Sequence, residues 1–211
     1  VVQDYLKSAY PTKFGIGSQL HQEARRWFSR NTFTPVYMVP VTQPTGSATK
    51  FDYTITGTAT ASGTLPVMLD GERFSVGVVV GDTAAVVAAA LGVVVADNTD
   101  RHVFSMAEAL GVISLTVSYD GAIGDDHDVR EIYFDTDEIP AGLTVVITKT
   151  SGAGDADITA GIAGIVNKWF QVLQMPFKDS TNLGLMETEL ERRFGPTIQQ
   201  DGLCYFGYAD T

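Results

Sequence analysis

The middle of the chain follows the two-residue period of half-buried β-strands. Phe51, Tyr53 and Ile55 alternate with polar residues, and residues 112–119 repeat the alternation. Such a pattern forces alternate side chains onto opposite faces of a sheet, so this region cannot be an amphipathic helix. Other strand-like segments are 65–69, 73–76, 93–96, 103–107, 129–134 and 143–149.

Two local signals punctuate this β-rich region. Asp70 and Gly71 separate two strand-like runs, and both residues tolerate the positive φ of a tight turn, so they predict a β-hairpin. An alanine-rich run that ends at Leu91 predicts one short helix, with Asp82 or Thr83 as its N-cap.

The first 43 residues favour helices followed by a strand. Residues 2–10 show an apolar helical stripe that Pro11 ends. Ser18 is a candidate N-cap for a second helix, which should extend to about Asn31. Residues 36–41 predict a strand.

The last 60 residues return to an α/β pattern. Asp157 is expected to cap a helix over 158–167. Residues 170–175 are predicted to form a buried strand, and residues 203–208 are predicted to form a final strand. Asp179 or Ser180 should open another helix, which Gly195-Pro196 ends. Its predicted apolar face consists of Leu183, Met186, Leu190 and Phe194, and its predicted exposed side carries Glu189 and Arg193 as an i,i+4 pair.

Glycine- and proline-containing segments at 42–47 and 152–154 mark the borders of the β-rich region. The predicted fold class is therefore mixed α/β. Residues 1–43 and 152–211 would form a discontinuous α/β domain, and residues 44–151 an inserted β-rich domain with one short helix.

Composition excludes several classes of function. The 211 residues include 25 acidic and 14 basic side chains, a formal net charge of −11, which argues against nucleic acid as a partner. The single cysteine, Cys204, excludes an internal disulfide and is predicted to be buried. Residues 83–96 are uncharged but too few to cross a bilayer, and no signal peptide is visible, so no membrane partner is predicted.

No motif for catalysis or cofactor binding emerges. Hydrolysis by a triad would need a serine beside a histidine, and the candidates are Ser18, His21, His102 and His127, without a G-x-S-x-G elbow. The run Gly15-Ile16-Gly17 lacks the third glycine of a dinucleotide fingerprint. We therefore predict no catalytic residue, no cofactor and no enzyme.

The densest acidic cluster is the segment from Asp120 to Asp128. Carboxylates in a loop suit hard cations such as calcium, but the spacing is not that of an EF-hand. A Gly/Asp-rich turn between strands explains the same residues. No metal site is predicted, and whether this loop binds a cation stays open.

Several segments, in order along most of the chain, resemble the tail sheath proteins of contractile bacteriophages, in particular those of Mu-like phages. They are FGIGSQL (14–20), ITGTATASGTLPVML (55–69, continued by Gly71-Glu72-Arg73), the alanine-rich 81–91, GAIGDDHDVR (121–130), AGLTV (141–145), and 185–202 with its E-x-R-x-G-P and Q-x-D-G elements. Family members are longer at both ends, so the resemblance implies a truncated subunit.

The resemblance implies a structural virion component. Sheath subunits stack as sixfold rings into a helical cylinder around the tail tube, and contraction drives the tube through the host envelope. The implied partners are further copies of the subunit, the tail tube protein, the baseplate and the tail terminator, with assembly in the bacterial cytoplasm. The alternative is a hydrolase or carbohydrate-binding tail component whose site lies in the β-rich insertion.

Overall fold

The computed structural model describes residues 3–4, 13–31, 33–96 and 104–207. Helices and strands are both well represented, which confirms the predicted mixed α/β class. The elements in chain order are β1 (Gln3–Asp4), α1 (Gln19–Arg30), β2 (Tyr37–Met38), β3 (Ala48–Gly57), β4 (Gly63–Leu69), β5 (Glu72–Val78), α2 (Ala84–Ala96), β6 (Phe104–Ala109), β7 (Val112–Asp120), a 3-10 helix (Ala122–Asp126), β8 (Val129–Arg130), β9 (Leu143–Thr150), α3 (Thr159–Ile165), β10 (Val172–Gln174), α4 (Ser180–Phe194) and β11 (Leu203–Tyr205).

The chain divides into two compact units. The central unit consists of Ala48–Ser118 and Gly124–Gly152, and the flanking unit consists of Val1–Ser47, Tyr119–Ile123 and Ala153–Thr211. Tyr119–Ile123 thus groups with the flanking unit, although it lies inside the segment predicted as the insertion. The arrangement as an α/β domain with an inserted domain stays a prediction.

Two antiparallel-paired sheets build the central unit. One has the strand order β6-β7-β3-β9 and the other the order β5-β4-β8. The apolar members of the alternating pattern are buried as predicted, with Tyr53, Ile55 and Ile113 at most 2% exposed. The Asp70–Gly71 hairpin is confirmed, since β4 pairs with β5 and both turn residues have positive φ.

Two predicted strands of the central unit were wrong. Residues 93–96 continue helix α2, because an uninterrupted alanine- and valine-rich run does not distinguish a buried strand from a helix by its period. Strand β8 ends at Arg130, and residues 131–134 leave the sheet. The buried carboxylate of Asp137 holds this departing segment, as described below.

The first part of the flanking unit is organised by α1. Ala24 and Phe28 pack with Met38 of β2, and Phe14, Leu20, Trp27 and Val36 surround them. The predicted helix over residues 2–10 is wrong at Gln3–Asp4, which pairs with β2 as a strand, and its other residues lie outside the described part. Extended pairing satisfies the backbone groups of β2 there.

The last part of the flanking unit packs α3 and α4 against the parallel pair β10–β11. Its core contains Ile158, Met175 and Met186. Two predicted burials were wrong, because Val172 is 57% exposed and Phe194 is 75% exposed. A two-stranded sheet has too few neighbours to cover both faces of β10. No helix within the described ranges combines the length and the apolar character needed to cross a bilayer.

Candidate functional site

Ser18 and His21, two of the candidate catalytic residues, lie at the start of α1. The Ser18 hydroxyl accepts a hydrogen bond from the His21 backbone N–H (3.2 Å) and donates one to the Gly15 carbonyl (3.0 Å). The imidazole is buried, and its Nδ1 accepts from the Gly17 N–H (3.3 Å). Burial, with the nearby charge of Arg25, lowers the pKa of His21. This geometry is that of a helix N-cap, as predicted for Ser18.

His127, another of the candidates, pairs with a carboxylate in the central unit. Its Nδ1 lies 2.7 Å from Asp70 Oδ2, and the Asp128 N–H donates to the other Asp70 oxygen (3.0 Å). Phe104 contacts the imidazole edge-on, with ring centroids 5.2 Å apart. These contacts join the Asp70 hairpin turn to the segment after the 3-10 helix. The remaining candidate, His102, lies outside the described residues.

Asp125, a member of the acidic cluster, has several hydrogen-bond partners in the central unit. Its Oδ1 accepts from the Thr49 hydroxyl (2.6 Å) and the Gly152 N–H (3.0 Å), and Lys149 Nζ donates to its carbonyl (2.9 Å). Although burial raises the pKa of Asp125, these hydrogen bonds outweigh it, and the net shift is downward. The carboxylate therefore holds Ala48–Gly57 against the end of Leu143–Thr150.

Asp128, another member of the acidic cluster, has different partners. Asp128 pairs with Arg130 at 2.7 Å, and its backbone N–H binds Asp70. Across the described ranges, no three His, Cys, Asp or Glu side chains come together as a metal site would require. The structure therefore places these carboxylates in separate contacts, and cation binding by the loop stays untested.

The E-x-R-x-G-P element contains the most buried charge among the described residues of the flanking unit. Arg193 is 1% exposed, and its Nε donates to Glu189 Oε1 at 2.7 Å. The prediction that this pair lies on the exposed side was wrong. The sequence does contain a signal for its burial: Glu189 and Arg193 lie three and seven residues after the buried Met186, which places them on the same helix face.

Arg193 also completes the end of α3. Its Nη1 donates to the Lys168 carbonyl (2.9 Å) and its Nη2 to the Ile165 carbonyl (2.9 Å). The Ile165 carbonyl lies at the C-terminus of α3, where the last four oxygens lack partners inside the helix, and Lys168 lies in the turn just beyond it. Hydrogen bonds from Arg192, and then from Arg193, lower the pKa of Glu189. Arg193 is therefore a structural residue that joins α4 to α3.

Asn182, which the sequence analysis missed, has a similar role. Its side chain donates to the Ala156 carbonyl (2.6 Å) and accepts from the Ile158 N–H (3.2 Å), while its own N–H binds the N-cap Asp179. Asparagine in the first turn of a helix is usually assigned to capping, so its sequence position alone does not reveal burial. Cys204 is only half-buried, and burial raises the pKa of its thiol.

A cavity of about 1530 Å³ opens in the flanking unit. Trp27, Tyr37, Phe170 and Met175 are among its lining residues, and the Tyr37 and Phe170 rings meet edge-on. Aromatic and aliphatic side chains dominate the lining. This composition suits packing against apolar chain segments better than acid–base chemistry.

Exposed aromatic and charged residues form two defined surfaces. The acidic aromatic loop, residues 131–138, belongs to the central unit and exposes Ile132, Tyr133 and Phe134 by 45–57%. The basic patch of the flanking unit consists of Arg25, Arg26 and Arg30 on α1, with Phe33 just beyond it and 95% exposed. Aromatic and arginine side chains are enriched at protein interfaces, so both surfaces are candidates for partner binding.

No protein-family profile matches the chain. It is 33% identical over 202 residues, or 95% of its length, to the Mu-like prophage FluMu tail sheath protein of Haemophilus influenzae. This chain belongs to the phage tail sheath family. The predicted resemblance is thereby confirmed. The chain spans 41% of that relative's length.

Proposed function

We propose that this chain is part of a structural subunit of a contractile phage tail sheath, which assembles as a helical cylinder around the tail tube. Contraction of that cylinder would drive DNA delivery. The observation that carries the proposal is the 33% identity across 95% of the chain to a tail sheath protein. The alternative, a hydrolase or carbohydrate-binding tail component with its site in the β-rich insertion, has no comparable support.

The chemistry of the candidate residues agrees with a structural role. Ser18 caps a helix, Asp125 holds two strands together and Arg193 completes a helix end. Each group is used for internal hydrogen bonding, where a catalyst would direct it towards a substrate. We therefore infer a non-enzymatic protein without a cofactor.

The proposed partners are further copies of the subunit, the tail tube protein, the baseplate and the tail terminator. The proposed location is the virion, after assembly in the cytoplasm of the bacterial host. A net charge of −11 disfavours direct binding to the packaged DNA, because phosphate contacts need clustered cations. A bilayer is likewise not among the proposed partners.

Electron microscopy tests the proposal. The complete gene product that contains this chain, expressed alone and viewed in negative stain, should form hollow tubes of uniform diameter. Monodisperse particles that hydrolyse a substrate, with activity abolished by His127→Ala, would instead support the hydrolase alternative. A variant with Thr148→Ala, an exposed strand position, serves as the control for both assays.

A further inference from the structure

The acidic aromatic loop is held in one shape by a buried carboxylate. Asp137 Oδ1 accepts from Arg73 Nη2 at 2.7 Å, and the Asp137 N–H donates to the Phe134 carbonyl at 2.8 Å. The Asp137 side chain is 3% exposed, whereas the Arg73 side chain is 40% exposed. The Tyr133 and Phe134 rings meet edge-on with centroids 5.0 Å apart. The loop therefore presents two aromatic rings at little further entropic cost.

Negative charge surrounds these rings. The ion pairs of this region involve Asp128 and Asp137, while Glu131, Asp135 and Glu138 add three further carboxylates to the loop. The central unit as a whole contains 14 acidic and five basic residues, a formal charge of −9. A partner surface that meets this loop should therefore be basic and should accommodate aromatic rings.

The basic patch of the flanking unit has that chemistry. Arg26 and Arg30 lie one turn apart on α1, and the Arg26 side chain is 69% exposed although it contacts Glu23 at 3.5 Å. Beyond the helix, Asn31 Oδ1 accepts from the N–H groups of Phe33 and Thr34, which fixes the backbone that presents the Phe33 ring. Arginine stacks favourably on aromatic rings as well as pairing with carboxylates.

We propose that the acidic aromatic loop of one copy of this chain docks on the basic patch of a second copy. The proposal rests on the proposed sheath function, which requires repeated contacts between copies. Loop-on-loop and patch-on-patch contacts would both bring like charges together, whereas loop-on-patch brings opposite charges together. The surface that binds the basic patch of one copy is therefore the acidic aromatic loop of the next copy.

Such a contact is heterologous, because it joins two different surfaces of the chain. A contact between two different surfaces leaves one of each unoccupied at the ends of a dimer, so it continues into a ring or an open helix. The loop contains eight residues, and the basic patch contains three arginines with Phe33 beside them, fewer than the roughly 20–30 residues a side of a standard stable interface. An isolated pair should therefore associate weakly, and the contact should become effective only when many copies are held together.

Disulfide trapping between two single-cysteine copies tests the proposal with the 211-residue chain. Both copies carry Cys204→Ser; one carries Thr136→Cys in the loop and the other Ser29→Cys among the arginines of α1. A size tag on one copy distinguishes heterodimers from homodimers. Matched controls place the cysteine at other exposed positions, Thr148→Cys in the central unit and Thr188→Cys in the flanking unit.

The expected result is a loop-to-patch heterodimer that forms faster than either homodimer and faster than both control pairs. Its yield should fall steeply between about 0.01 M and about 1 M salt, since the Debye length shrinks from about 30 Å to about 3 Å. Homodimers in excess, or a heterodimer no faster than the controls, would overturn the proposal and leave a glycan or another tail protein as the occupant of the loop.

Charge exchange provides the second readout. Arg26→Glu with Arg30→Glu in the Ser29→Cys copy should reduce trapping to the control rate. Asp135→Arg with Glu138→Arg in the Thr136→Cys copy should restore it, a recovery that misfolding cannot produce. If the heterodimer is trapped but the complete gene product forms no tubes in electron microscopy, the contact stands and the sheath function is rejected. If tubes form but charge exchange does not restore trapping, the sheath function stands and this contact is rejected.

Discussion

The central and flanking units differ in charge and in what holds them together. The central unit has a formal charge of −9, whereas the flanking unit contains 11 acidic and nine basic residues, a formal charge of −2. Long strand ladders such as β3–β9 stabilise the central unit, while buried polar side chains join the short elements of the flanking unit. One unit should therefore be sensitive to lost apolar volume and the other to lost hydrogen-bonding groups.

The largest effect is expected for Arg193→Ala in the flanking unit. Removing this side chain takes one of two arginine partners from the buried Glu189 carboxylate, removes a donor from the carbonyls of Ile165 and Lys168, and leaves a cavity where a residue only 1% exposed was packed. We expect a loss of about 3–5 kcal/mol in the free energy of unfolding of that unit. Both tryptophans, Trp27 and Trp169, belong to the flanking unit, so fluorescence during urea unfolding measures it selectively.

The neighbouring Arg192→Ala is the matched control for that experiment. Arg192 also pairs with Glu189, but its side chain is 38% exposed, so water can replace the lost contact. The decrease in the free energy of unfolding should be clearly smaller for Arg192→Ala than for Arg193→Ala. Equal losses for the two variants would contradict the assignment of Arg193 as the residue that joins α4 to α3.

Leu115→Ala should have the second-largest effect, and in the other unit. Leu115 is 2% exposed on β7, so truncation leaves a cavity and should cost about 2–5 kcal/mol. Amide hydrogen exchange of β3 and β9 reports on the central unit. Val146→Ala, at a position 54% exposed on β9, should change stability by no more than about 0.5 kcal/mol.

Asn182→Ala should destabilise the flanking unit by an intermediate amount. The substitution leaves the Ala156 carbonyl and the Ile158 N–H unsatisfied in a buried region, at a cost of about 1–3 kcal/mol. Tryptophan fluorescence is again the measurement. Unchanged fluorescence unfolding, together with faster exchange in β3, would contradict the division of polar and apolar stabilisation between the two units.

The smallest expected effect is a pH dependence. Hydrogen bonds from Arg192 and Arg193 lower the folded-state pKa of Glu189 below its ordinary value of 4.5. Its contribution to stability is therefore fully present above pH 4.5 and is lost as the pH falls towards the folded-state pKa. Glu189→Gln should flatten the stability of the flanking unit in this window, measured by fluorescence. A slope in the variant equal to the wild-type slope would contradict this origin.

Local signals predicted a substantial part of this structure. Positive φ at Asp70 and Gly71 fixes a hairpin within four residues, and Ser18 and Asp179 cap the helices that follow them. Alternation predicted β3 and β7, because side chains in a strand point to opposite faces regardless of context. The family resemblance also came from the order of short motifs along the chain, without any tertiary contact.

Other features were decided by tertiary contacts. Residues 131–134 leave the sheet because Asp137 pairs with Arg73, 64 residues away. Helix α2 continues through Ala96, although its apolar run alone did not distinguish helix from strand. Arg193 became buried because the carbonyls of residues 165 and 168 lie where its guanidinium points. The sequence by itself determined turns, caps and strand faces, which depend on a few neighbouring residues. Only the tertiary structure could decide which charges are buried, because the cost of desolvating a charge is offset only by partners distant in the chain.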